Sequence, residues 1–135
     1  MSRRDAVIYP LVGFSAWLNG AIGFRLGGRV LFESGPLVTA VVAIVIAVLV
    51  CAVLRGTMGW RKADPSQAVT VAVVMAVPGL FAETVRQLLF TGATGLPLAA
   101  SPTFSAVIFF GNAVLLTYAL ILASADRRSA VDHDD

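Results

Sequence analysis

The stretch PLVTAVVAIVIAVLVCAVL, Pro36 to Leu54, contains no charged residue. An apolar run of this length matches the roughly 20 residues of helix needed to cross a hydrocarbon core. Where no water is present, a spanning segment of this kind satisfies its N–H and C=O groups within itself as a helix. Three further apolar runs follow the same rule: Ala6 to Phe24, the segment after ADPSQ as far as Phe90, and the segment after SPTF as far as Ala125. The chain of 135 residues is 58% apolar and 13% charged, against about 45–50% and about 25% for soluble domains. A soluble fold this small could not bury that much apolar surface, so the bilayer is the expected solvent and lipid the first partner.

The expected architecture is all-α: one transmembrane four-helix bundle over residues 1–125, with helices at about 6–27, 36–54, 65–90 and 102–125. Residues 126–135 read as a disordered polar tail. Pro36 suits a first helical turn. Asp64 can cap the third helix, with Pro65 in its first turn and Gln67 at the capping-box position. Ser101 and Pro102 suit the start of the fourth.

Basic residues resist translocation, so their distribution orients the chain. Arg3, Arg4, Arg55, Arg61, Lys62, Arg127 and Arg128 fall on one side, whereas the other loops carry Arg25 and Arg29. Both termini are expected in the cytoplasm. The MSRRD start before an apolar run reads as an uncleaved anchor, because Pro10 interrupts the run and no small-x-small cleavage site follows.

Several function classes drop out on composition. A net charge of +2 without a basic stripe gives no basis for nucleic-acid binding. Cys51 is the single cysteine and His133 the single histidine, the latter in the tail, so no metal site or cofactor is expected. An enzyme is not expected either. The apolar segments hold no His, no Cys/His pair and no acidic dyad, and the chain has no Gly-rich phosphate loop on a strand.

In lipid, helices associate through close packing of small residues and through polar contacts. The first helix carries such a stripe at Gly13, Ala16, Gly20, Gly23 and Gly27, spaced three and four residues apart. The third carries another at Ala72, Ala76, Gly79, Glu83 and Arg86, which turns its two charged residues toward other helices. Asn112 reads as interhelical glue on the fourth helix. Trp17, Trp60 and Tyr118 need no more than packing or interfacial anchoring.

Counted from Ala68 at about 1.5 Å per residue, Glu83 lies roughly 22 Å into a core about 30 Å thick. Asn19, at roughly 20 Å, and Arg25, at roughly 28 Å, reach similar levels on the first helix. Two readings stand side by side. In one, Arg86 snorkels to the outer headgroups and neutralises Glu83 one turn away. In the other, Asn19, Arg25, Glu83, Arg86 and Gln87 build an outward-facing polar pocket.

The layout, the acidic third-helix stretch PGLFAETVRQLLF and the last-helix stretch FFGNAVLLTYALIL resemble an uncharacterised family of small bacterial four-helix membrane proteins. That resemblance implies a membrane bundle and carries no activity with it. Small multidrug transporters also have four short helices, but their essential carboxylate is in the first helix, where this chain has Asn19. Frequent Arg, Ala and Val suggest a bacterium with a GC-rich genome, and hence a bacterial inner membrane. The expected function is a non-catalytic accessory or structural component of a membrane assembly, as a homo-oligomer or within a larger complex. The alternative is a small oligomeric transporter or channel with Glu83 as its protonatable or ion-pairing residue.

Overall fold

The computed structural model describes residues 2–90 and 101–131. Four helices make up most of the described residues: α1 (Asp5–Glu33), α2 (Pro36–Arg61), α3 (Ala68–Leu89) and α4 (Ser101–Val131), with a 3₁₀ turn at Pro65–Gln67 leading into α3. Each contains a span long and apolar enough to cross a membrane, so the chain is a multi-pass membrane protein of all-α class. The charge-free segment 91–100 and the end of the tail, 132–135 with His133, lie outside the described residues.

The helices run longer than their apolar stretches. α1 continues past Gly27 to Glu33 and α2 past Leu54 to Arg61. The α2 extension persists because Thr57 and Met58 are buried at its inner face. It stops where Lys62 turns left-handed at φ 51°. There the Lys62 N–H donates to the Gly59 carbonyl and the Ala63 N–H to the Met58 carbonyl, which fills two of the carbonyls that a helix end leaves open. α4 extends to Val131, into the segment expected to be a tail, since DRRSAV offers no Gly or Pro to stop it. At the other end of α2, Gly35 takes φ +97° and ψ 172°, a conformation nearly closed to residues with a Cβ.

Asp64 caps the short turn before α3, its Oδ1 accepting from the Ser66 N–H at 2.8 Å. That hydrogen bonding by Ser66 holds the Asp64 carboxyl below the usual carboxylate range. The helical turn beginning at Pro65 is 3₁₀, and α3 proper begins at Ala68 instead of Pro65.

α1 packs on α3, α3 on α4 and α4 on α2, whereas α2 closes only loosely against α1. α2 has the highest mean hydropathy of the four spans, 3.3, and the smallest buried share, 11%, so it faces lipid over most of its surface. α3, with 39% of its span buried, is the central helix.

Two apolar clusters hold the ends of the bundle. At the basal end, Tyr9, Leu54, Met58, Ala68, Val71 and Leu115 pack together, and the Arg61 Nη2 meets the Asp5 Oδ1 at 2.7 Å beside them. At the apical end, Phe24, Phe104, Val107 and Ile108 form the second cluster, with the Phe24 and Phe104 rings edge to face at 4.8 Å. The basal end gathers the N-terminus of α1, the C-terminus of α2, the start of α3 and the C-terminal part of α4, an antiparallel order.

The α1–α3 contact is closest at Gly13. A Cβ built there would stand nearer than 3.0 Å to the carbonyl oxygen, carbonyl carbon and Cα of Met75, all backbone. Gly79, about one turn further along α3, faces Trp17, whose Cβ would lie 3.2 Å from an added methyl. The rest of the α1 stripe does not share this role. Among the described residues, Gly20, Gly23 and Gly27 have nothing within 4 Å of an added Cβ, so they make no packing contact there. The α3 stripe coincides with its buried face: Ala72, Ala76, Gly79, Glu83 and Arg86 are all buried.

Candidate functional site

The polar residues of α3 meet α1 and α4 just below the apical cluster. Glu83 is fully buried and Arg86 is 4% exposed, so the guanidinium turns into the bundle and does not snorkel to the headgroups. Three residues apart on one helix face, the two side chains form a two-pronged pair. The Arg86 Nε donates to the Glu83 Oε2 at 3.0 Å, and the Arg86 Nη2 to the Glu83 Oε1 at 2.7 Å.

Neighbouring helices complete the shell. The Ser105 hydroxyl, on α4, donates to the Glu83 Oε1 and accepts from the Arg86 Nη2 at 3.2 Å. The Trp17 Nε1, on α1, donates to the Glu83 Oε2 at 3.2 Å. The Gln87 Oε1 accepts from the Arg86 Nη2 at 2.8 Å. The Phe104 ring lies under the guanidinium, 4.9 Å from centroid to Cζ, a favourable place for a cation out of water. A carboxylate offers about four acceptor positions, and here four donors from three helices point at them.

Of the five residues expected to form a pocket, Glu83, Arg86 and Gln87 are brought together. Asn19 is not part of the cluster: it is exposed, and its Nδ2 donates to the Ser15 carbonyl of its own helix at 2.8 Å. Arg25 is exposed near the apical end of α1. Asn112 is likewise no bridge between helices, since its Nδ2 donates to the Ile108 carbonyl at 2.8 Å. Conversely, Ser105 and Trp17 belong to the cluster, although nothing in the sequence pattern marks Ser105 and Trp17 is expected only to pack or anchor. Trp17 does more than pack, because its indole N–H supplies one of the four donors.

Below the pair, between the two apolar clusters, lies a cavity of about 480 Å³ walled by all four helices. Gly20, Ile46, Ala76 and Gly111 supply one wall residue from each helix, and Asn19 and Asn112 are the polar residues on its lining. Trp17 also borders it, standing between the cavity and Glu83. Among the described residues no group of three His, Cys, Asp or Glu side chains could hold a metal ion.

The profile of a family of unknown function, DUF5367, matches residues 30–126, which span α2, α3 and α4 with Glu83, Arg86 and Ser105. No curated protein and no solved structure matches the chain.

Proposed function

This chain belongs to the DUF5367 family of unknown function, and we propose that it is a non-catalytic membrane protein, an accessory or structural component of a membrane assembly. In this reading it sits in a bacterial inner membrane with both termini in the cytoplasm. The basal end, with most of the Lys and Arg, is then the cytoplasmic one. The Glu83–Arg86 pair serves as an internal polar clasp that fixes α1 and α4 to α3. One observation carries the proposal: every acceptor position of the Glu83 carboxylate is taken by a donor of the same chain. A carboxylate so enclosed has no position left for a substrate or a relayed proton. The transporter alternative requires Glu83 to open, and Trp17 would have to leave it first.

The clasp is tested by folded yield in mild detergent, proton-dependent uptake into vesicles and complementation of a deletion strain. Removing one partner strands a buried charge at about 3–5 kcal/mol, so Glu83→Gln and Arg86→Gln should each lower yield sharply. Changing both to Leu leaves the Trp17 N–H without its acceptor, at about 1–3 kcal/mol for a buried group, and leaves the Ser105 hydroxyl only the Gln87 Oε1, at a long 3.4 Å. The variant that should recover yield is therefore Glu83→Leu, Arg86→Leu, Ser105→Ala and Trp17→Phe together. Recovered yield with complementation supports the clasp. Recovered yield without complementation, or uptake that Glu83→Gln abolishes in a folded protein, refutes a purely structural role.

A further inference from the structure

We infer that the central cavity is a binding site for an apolar small molecule carrying an O–H or N–H donor, an inference independent of the role of the ion pair. Size comes first. An apolar cavity of about 150 Å³ accepts a benzene ring, so the roughly 480 Å³ of this partly open cavity suits about nineteen non-hydrogen atoms at that density. Its volume also falls in the range of pockets that take cofactors and drug-sized ligands, about 300–1,000 Å³.

Polarity comes second, and it has a direction. Asn19 and Asn112 both turn their Nδ2 onto a carbonyl of their own helix. A carbonyl only accepts, so the amide nitrogen must face it, and the Oδ1 becomes the free end of each side chain. The two polar residues of the lining thus offer acceptors. Among the described residues no cationic side chain lines the cavity, which leaves an anion without a partner and makes a donor-bearing apolar molecule the matching class. The loose α1–α2 seam gives such a molecule, dissolved in the bilayer, a lateral way in.

The experiment uses the full chain in lipid nanodiscs, in a Trp60→Phe background so that Trp17, on the cavity wall, is the only tryptophan. The probe is 1-aminoanthracene, three fused rings with one amine, and its control is anthracene, which lacks the donor. The aminoanthracene should quench Trp17 saturably at one molecule per chain and bind about tenfold more tightly than anthracene, the weight of one neutral hydrogen bond. Asn112→Leu, or Asn112→Leu with Asn19→Leu, should remove that tenfold preference. Gly20→Phe, where an added Cβ meets nothing within 4 Å, and separately Ile46→Phe should fill the cavity and abolish saturable quenching. Quenching that never saturates, equal affinity for both probes in the parent protein, or saturable binding that survives either filling variant overturns the site. Should the filling variants fail to fold, the ratio of the two probes in the parent and Asn112→Leu proteins decides. Binding seen in detergent and lost in nanodiscs assigns the cavity to an acyl chain and refutes the proposal.

Discussion

Gly13→Ala should be among the most damaging methyl additions in the bundle. The new methyl would lie within 3.0 Å of three backbone atoms of Met75, and a backbone inside a helix cannot swing aside as a side chain can. α1 and α3 must therefore separate by about an ångström, a gap at which each atom pair loses about a quarter to a half of its dispersion energy. If the contact at this level involves roughly the 40–60 pairs of one buried side chain, at about 0.1–0.2 kcal/mol each, losing a third of it costs about 2–3 kcal/mol. That agrees with the usual range for overpacking, about 1–3 kcal/mol. Gly20→Ala is the internal control. Its methyl meets nothing within 4 Å, and Ala is the better helix former by about 1 kcal/mol, so its stability should equal or exceed that of the parent. Reversible unfolding by SDS in mixed micelles, followed by far-UV circular dichroism, gives both values. Gly13→Ala within about 0.5 kcal/mol of the parent, a change typical of indifferent surface sites, or an equal loss in Gly20→Ala, would refute the close approach.

The remaining predictions concern the helix ends and the threading. Lys62→Gly should raise stability by about 1 kcal/mol, because Lys62 holds φ 51° where glycine has no Cβ penalty. Lys62→Ala separates this from loss of the charge and should bring no gain. Gly35→Ala should cost about 1–3 kcal/mol through backbone strain alone, since φ is +97° and an added Cβ meets nothing within 4 Å. A gain in the same SDS titration would contradict the assigned turn. Reporter fusions at Trp60 and after Arg128 should read cytoplasmic and those at Glu33 and Leu96 external; a cytoplasmic reading at Leu96 would remove the four-span threading.

The four helices are legible because lipid solvation writes them as long apolar runs, but their ends are not. A hydropathy run ends where the bilayer does, whereas the helix ends where the backbone finds a stop. α2 therefore reaches the left-handed Lys62, beyond Leu54, and α4 passes Asp126 and runs to Val131. The small-residue stripes show the same divide. On α3 the spacing reports burial faithfully, because α3 is the central helix with partners on both sides. On α1 it identifies the right face at Gly13, but periodicity carries no information on where two straight helices cease to touch. Past that point Gly20, Gly23 and Gly27 meet open space, and at Gly20 that space is the cavity.

The polar cluster illustrates how level can be read from sequence while azimuth cannot. At about 1.5 Å per residue, Trp17 lies roughly 18 Å along α1 from Asp5, and Glu83 roughly 22 Å along α3 from Ala68, close enough for an indole to bridge. Ser105, about 6 Å into α4 from its apical end, meets Glu83, about 9 Å back from the end of α3, by the same count. Both residues could thus have been placed at the right depth. Asn19 matches the depth of Glu83 more closely still, yet it stands two residues beyond Trp17, about 200° around the helix at 100° per residue. With Trp17 turned onto α3 by the Gly13 and Gly79 contact, Asn19 has to face away from the carboxylate, and its Nδ2 turns onto the Ser15 carbonyl of its own helix. The glycine pair that sets the α1–α3 approach thus also decides which side chain reaches the carboxylate. Widening that approach with Gly79→Val should free Trp17 from Glu83 before it unfolds the bundle.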